Sequence, residues 1–378
     1  GEPVQVRTDR TVNFNWIFAL PHPELDANCF SVAWTGSVIM PKTMDGCIGL
    51  STQDSMRLYV DDKLLIDGWG KDKSADQALD FHFEAGRTYK IRIEFVNDRR
   101  GARVIFGYSA GRENFPAAVE AARKADVAIL CMGDNEETSG ENFDRTDLNL
   151  PGRQLELVQA VYATGTPVVL VLQSGRPVTA NWENDHLPAI LEAWFPGEQG
   201  GTAIAKTLFG DAAPGGRLPI TFPRSVGQIP CHYSRRPGGG KRYVEMDWLP
   251  LYPFGYGLTY TTFAYRDMTL SRSVIGPQDT VTVSVTVTNT GKYTGDAVPQ
   301  LYVRDMFSSV VKPERQLAAF RRLTLAPGES RRVELTVGPK QLRTLGPDYV
   351  WRVEPGKFEL QLGDNAENIL LRADLTVE

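Results

Sequence analysis

Apolar and polar residues alternate strictly near both ends of this chain. Phe30, Val32 and Trp34 alternate with Ser31, Ala33 and Thr35, and Tyr89, Ile91, Ile93 and Phe95 alternate with Lys90, Arg92 and Glu94. A period of two sends one set to a core face and the other to water, which marks a half-buried β-strand. Turn residues separate the runs: Pro41 and Asp45-Gly46 precede one, Ala85-Gly86 another. No stretch of residues 1–110 repeats at helical spacing, so the pattern predicts a β-sandwich. Residues 264–378 behave alike. Val281, Val283, Val285 and Val287 alternate with Thr and Ser before the turn Asn289-Thr290-Gly291, and Phe358, Leu360 and Leu362 alternate with Glu359 and Gln361. Short alternating strands over that length predict a second sandwich, immunoglobulin- or fibronectin-like.

The middle of the chain follows another rule. The run from Asp126 to Cys131, closed by Gly133, is short and mostly apolar, as a buried parallel strand is. Pro167 to Leu172 and Pro188 to Trp194 repeat the pattern. Between them, Pro151-Gly-Arg-Gln154 opens a helix with Leu155, Val158 and Tyr162 on one face, and Gly165 closes it. A further helix is expected from about Gly201 to Phe209, stopped by Gly210. Strand, helix and strand with short loops predict βαβ units and a mainly parallel sheet. The expected organisation is therefore β-sandwich over 1–112, α/β over 113–250, an aromatic and Gly-rich connector over 251–263, and β-sandwich over 264–378.

Composition narrows the function classes. The net charge of −5 argues against a sequence-independent nucleic-acid binder. The basic residues Arg235, Arg236, Lys241 and Arg242 flank Pro237 and three glycines and read as a solvated loop. No apolar run reaches the length of a transmembrane helix. Gly1 leads at once into strand-like sequence, as an interior start would. Cys29, Cys47, Cys131 and Cys231 lack CxxC spacing and read as buried free thiols. Four histidines, none placed beside a nucleophile elbow, give no Ser/His/Asp signal, and no metal motif is present.

One loop carries chemistry. Gly133-Asp-Asn-Glu-Glu-Thr-Ser-Gly-Glu-Asn-Phe-Asp-Arg145 holds five carboxylates and leaves the carboxyl end of a predicted parallel strand, where α/β sheets place their ligands. A glycosidase needs one carboxylic acid to protonate the leaving oxygen and a second carboxylate to attack or to activate water. Negative neighbours raise a carboxyl pKa and keep it protonated. A solvated acidic loop gives the same composition, so the residues alone leave both readings open.

Four phrases decide between them. Ser139-Gly-Glu-Asn-Phe-Asp-Arg-Thr-Asp-Leu-Asn-Leu-Pro-Gly152, Ala193-Trp-Phe-Pro-Gly-Glu-Gln-Gly-Gly201, Leu208-Phe-Gly-Asp-Ala-Ala-Pro-Gly-Gly-Arg-Leu-Pro-Ile-Thr-Phe-Pro223 and Pro253-Phe-Gly-Tyr-Gly-Leu-Thr-Tyr-Thr-Thr-Phe263 occur in the order seen in glycoside hydrolase family 3. The chain resembles the C-terminal half of a β-glucosidase of that family. The resemblance implies a retaining, exo-acting hydrolase that releases β-D-glucose from oligosaccharides or aryl and alkyl β-glucosides without a cofactor. β-Xylosidase or α-L-arabinofuranosidase specificity is the alternative within the family. A non-catalytic carbohydrate-binding protein is the alternative outside it. The family's acid/base Glu falls on Glu141, with Glu137 the next candidate. Phe143 is a candidate substrate contact, and Asp144 and Arg145 are expected to shape the loop. The nucleophilic Asp belongs to the family's N-terminal (β/α)8 barrel, which the resemblance does not reach, so the barrel segment is the expected partner.

The tail from about 264 resembles the family's fibronectin type III-like domain. Residues 1–110 resemble the protective-antigen-type β-sandwich inserted in some members, through Trp34-Thr-Gly, Leu58-Tyr-Val-Asp-Asp-Lys-Leu-Leu-Ile-Asp67 and Trp69-Gly70. Such modules can chelate calcium with adjacent aspartates. Gln53-Asp54 stands at the matching place, so no metal site is carried over. Trp69 is a candidate sugar platform, weighed against a buried structural Trp. The expected location is periplasmic or secreted, with the cytoplasm as alternative.

Overall fold

The computed structural model describes residues 2–16, 20–52, 54–70, 75–98, 102–110, 115–136, 138–238 and 242–378. Gln53, Glu137, Gly239, Gly240 and Lys241 lie outside the described residues. The chain forms two compact units, Gly1–Pro116 and Ala117–Glu378.

The first unit is a sandwich of two four-stranded sheets. One runs in the order Asn13–Asn15, Arg103–Ala110, Met44–Thr52, Ala75–Phe83, the other Phe30–Ile39, Thr88–Asn97, Ser55–Val60, Lys63–Asp67. Every pairing is antiparallel. Tyr89, Ile91, Ile93 and Phe95 are all buried, and Lys90, Arg92 and Glu94 are not, as the alternation requires. Ile48 and Leu50 of one sheet meet Met56, Leu58 and Ile93 of the other in a common core. Asp61 and Asp62 connect two strands with φ of 49° and 63°. Two consecutive left-handed residues make the tight hairpin turn whose twist matches the strands, and Asp tolerates that conformation.

The second unit opens with the helix Pro116–Arg123, which starts at the boundary of the units, and then builds a three-stranded parallel sheet. Its order is Ala189–Glu192, Val168–Gln173, Ala128–Gly133. Helices Gln154–Tyr162, Asn181–His186 and Gly200–Leu208 accompany it. Leu170 and Leu172 pack with Val158, Val161 and Leu150 on one side. The buried stripe of the Gln154–Tyr162 helix is Val158 and Val161, while Leu155 is only half-buried and Tyr162 is exposed. The buried face differs from the expected one because the tyrosine has a surface partner: its ring meets Trp182 and His186 edge-on. The other side of the sheet is open at its edge strand, where Ile129 and Cys131 are exposed.

A second sandwich completes this unit. One sheet orders Phe263–Leu270, Val281–Asn289, Ser330–Val337; the other orders Val274–Ile275, Ile369–Val377, Gly356–Gly363, Gln300–Asp305, Gln316–Phe320. Val281, Val283, Val285 and Val287 are fully buried against Leu301, Leu360 and Leu375. Gln361 breaks the alternation: it is buried, as are Gln300 and Tyr302 of the neighbouring strand. The reason is a cover on the outer face of that sheet. Gln300 donates to the carbonyls of Gly255 and Asp364, and Tyr233 stacks on Phe254 while its edge meets Tyr302. The connector thus bonds to both sandwich and α/β layers. Tyr260 donates to the Thr207 carbonyl, and Thr261 donates to Asn289.

Two expectations are corrected here. The cysteines are free but not buried: Cys29 and Cys131 are exposed, Cys47 and Cys231 half-buried. Cys131 falls on the uncovered face of its strand, so apolar sequence did not mean burial. Arg235 is not a solvated loop residue. It pairs with Glu314 and Glu367 at 3.2 and 2.6 Å and lies over the Trp248 ring, bridging the loop to the second sandwich.

Candidate active site

Three loops leave the carboxyl edge of the parallel sheet. The first begins at Gly133, where φ is 142° and a Cβ would stand 1.9 Å from the Gln173 carbonyl, so no side chain fits. Gln154, the first residue of the following helix, grips both backbone groups of Gly133, accepting from its N–H at 2.7 Å and donating to its carbonyl at 2.8 Å. The chain therefore leaves the strand in one fixed direction.

Asp134 comes next, with a side chain only 3% exposed. Its carboxylate collects four partners. Thr138 donates to Oδ1 at 2.9 Å and Ser174 to Oδ2 at 2.7 Å. Arg145 approaches Oδ1 at 3.3 Å and Arg176 Nε approaches Oδ2 at 3.5 Å. A buried carboxylate is tolerable only when paired and hydrogen-bonded in this way. Arg145 also donates to the Asn149 carbonyl, so its side chain ties the two ends of the loop together. Asp144 is exposed and makes no hydrogen bond or ion pair among the described residues.

Glu141 sits at a corner of the four-residue turn from Gly140 to Phe143. The Phe143 N–H donates to the Gly140 carbonyl at 3.2 Å, and Asn142 takes a φ of 66°. A left-handed third residue suits Asn in such a turn. The Phe143 ring lies over Gly140, where a Cβ would stand 3.2 Å from it. Glu141 is exposed, and no hydrogen bond or ion pair reaches its carboxyl among the described residues. Neither Ser139 nor Asn142 bonds to the carboxyl, and Asp134 turns inward to two arginines and away from any role in crowding it.

Sequence reasoning missed two further residues. Arg176 follows the second strand, and nothing in its local pattern singled it out. Glu192 ends the third strand and is largely enclosed. Its Oε1 accepts from the Trp194 N–H at 2.9 Å, and its Oε2 is buried without a hydrogen-bond partner among the described residues. Burial pushes the Glu192 carboxyl up to about 7, against the opposing pull of the Trp194 N–H. Trp194 itself is left-handed, with φ of 53°. A bulky residue there is an outlier, and such strain concentrates at functional edges.

Glu141 and Phe143 share one turn of the second unit, whereas Trp69 belongs to the first. Trp69 is 39% exposed, which removes the buried structural reading. The Arg57 guanidinium occupies one side of its ring at 4.6 Å and pairs with Asp67, whose carboxylate also accepts from the Trp69 N–H. A cavity of about 280 Å³ is lined by Tyr233, Arg235, Tyr243, Trp248 and neighbours, but by no residue of the 133–149 loop. This cavity and the best candidate chemistry therefore do not coincide.

Residues 26–260 match the glycosyl hydrolase family 3 C-terminal domain. The chain belongs to this family. Residues 297–366 match a fibronectin type III-like domain, in agreement with the second sandwich. A β-xylosidase of Formosa agariphila is 45% identical over 302 residues, 77% of this chain and 42% of that protein. A periplasmic β-glucosidase of Salmonella typhimurium is 43% identical over 263 residues, 67% of this chain and 34% of that protein. The crystal structure of a β-glucosidase from Kluyveromyces marxianus in complex with glucose superposes with a TM-score of 0.74 at 28% identity, over 97% of this chain and 47% of that one. The chain spans less than half the length of each of these three proteins.

Proposed function

We propose that this chain supplies the acid/base half of a retaining, exo-acting β-glycoside hydrolase that releases β-D-glucose from non-reducing ends. The observation that carries the reading is Glu141, exposed at the corner of a turn that a buried Asp134 and two arginines anchor to the carboxyl edge of a parallel sheet. The partner is the family's N-terminal (β/α)8 barrel segment, with an Asp as nucleophile about 5–5.5 Å from Glu141 in the assembled site. The Asp attacks the anomeric carbon while the Glu141 acid gives its proton to the leaving oxygen. Glu141, now a carboxylate, then takes a proton from water, whose oxygen displaces the Asp from the sugar. The acid must be protonated at the first step.

The open edge of the sheet supports the same partnership. Parallel sheets are ordinarily covered on both faces, and here Ile129 and Cys131 face out. The first unit reads as a protective-antigen-type module, with Trp69 as a sugar platform. A periplasmic or secreted location fits the Salmonella relative, and among the described residues no helix is long and apolar enough to cross a membrane.

β-Xylosidase activity is the second reading, favoured by the 45% identity to the Formosa agariphila protein. Initial rates of the native protein on 4-nitrophenyl β-D-glucoside and β-D-xyloside separate the two. A higher kcat/KM on the glucoside supports the first reading, and a higher value on the xyloside the second. No release from either glycoside removes both.

A further inference from the structure

Among the described residues no hydrogen bond or ion pair fixes the Glu141 carboxyl, yet an acid must be placed to within a fraction of an ångström to protonate a leaving oxygen. Arg176 reaches both flanks of the segment that carries it. Arg176 Nη2 donates to the Thr138 carbonyl at 3.2 Å and Nη1 to the Phe143 carbonyl at 3.4 Å, while Nε faces Asp134 Oδ2 at 3.5 Å. Thr138 precedes Glu141 by three residues and Phe143 follows it by two. One planar fork thus spans the segment that presents the carboxyl. Lysine, a point charge on a flexible stem, has no such fork.

The backbone beneath the fork is equally constrained. Ser174 accepts from the Arg176 N–H at 3.2 Å and donates to Asp134. At Gly175, a Cβ would stand 2.8 Å from the Phe195 ring and 3.4 Å from Ser139 Oγ. The strand end, the Phe195 ring and the turn that holds Glu141 therefore meet at a position where only glycine fits without displacement.

We propose that Arg176 is the positioning residue of this site: it ties the two flanks of the Glu141 turn to the buried Asp134 and so aims the acid. This inference rests on the reading of Glu141 as acid/base, and its test separates the two. Arg176→Met and Arg176→Lys are made in the assembled enzyme, barrel segment included, and compared with Glu141→Ala on two glycosides. One has a poor leaving group, such as an alkyl glycoside, and the other is the 2,4-dinitrophenyl glycoside, whose departure needs no proton. Misplacing an acid by about an ångström can cost on the order of 100-fold. The expected result is a loss of about 10-fold or more in kcat on the poor leaving group, with first-step rates on the dinitrophenyl glycoside within about 3-fold of wild type. Arg176→Lys keeps the charge beside Asp134 but not the two carbonyl bonds, so it gives the same contrast if Arg176→Met does not fold. Equal losses on both substrates, or no loss on either, would overturn the positioning role. If Glu141→Ala shows no such contrast, the acid/base reading itself fails. If Glu141→Ala shows it and neither Arg176 variant does, only the positioning role fails.

Discussion

Replacing Glu192 by Gln tests whether the carboxyl edge stores a buried acid. The enclosed Glu192 carboxyl has a pKa of about 7, compared with an ordinary value of 4.5. The gap of about 2.5 pH units, at about 1.36 kcal/mol per unit, corresponds to roughly 3 kcal/mol. The sign follows from the raised value. Below pH 4.5 the group is neutral in both folded and unfolded chains and costs nothing. Between 4.5 and about 7 the unfolded chain ionises first, so the folded state loses stability with each step. Above about 7 the loss is complete. An amide at this position does not titrate, so Glu192→Gln removes this slope. The stability of the variant relative to wild type rises by roughly 3 kcal/mol from pH 4.5 to pH 8, on the order of 5–10 °C in Tm for a unit of this size. Thermal melts of both proteins across that range measure the difference directly. Parallel curves, with a gap independent of pH, would refute the buried-acid reasoning.

Other perturbations probe the rest of the account. Gly133→Ala places a methyl 1.9 Å from the Gln173 carbonyl at a positive φ, and it should destabilise the α/β layer by more than about 2 kcal/mol in urea titrations. Leu360→Ala empties a fully buried position of the second sandwich and should cost about 2–5 kcal/mol by the same titration, with substrate preference unchanged in the surviving enzyme. Cys131 is exposed on the open sheet face. Maleimide should label it rapidly in this chain alone and slowly once the barrel segment is bound, and equal rates in both states would count against a covering segment there.

Much of the fold was legible because it follows from local periodicity. The fully buried valines from 281 to 287 and the strand from Thr88 to Asn97 needed only a period of two. The three parallel strands were visible as short apolar runs. What failed to show was whatever depends on closure in three dimensions. Gln361 looks solvent-facing by alternation and is buried because the connector covers that sheet face. Tyr162 looks like a core residue and is drawn to Trp182 and His186 at the surface. At the site, the motif singled out Glu141 but not its support. Asp134 read as one acid among five, yet its inward turn depends on Arg145 and on Arg176, which is 42 positions away along the sequence. Glu192 lies inside the mostly apolar run from Pro188 to Trp194, and only its enclosure sets its pKa apart.

The role of Glu141 is open to one direct measurement. In the assembled enzyme, Glu141→Ala is given 2,4-dinitrophenyl β-D-glucoside with and without sodium azide. The first step needs no acid, so dinitrophenolate is released in a burst, and turnover then stalls because no base activates water. Azide, which needs no base, should restore turnover and yield β-D-glucosyl azide, while cleavage of cellobiose is nearly abolished. Wild-type turnover on cellobiose, or glucosyl azide formed by Glu137→Ala but not by Glu141→Ala, would contradict the assignment.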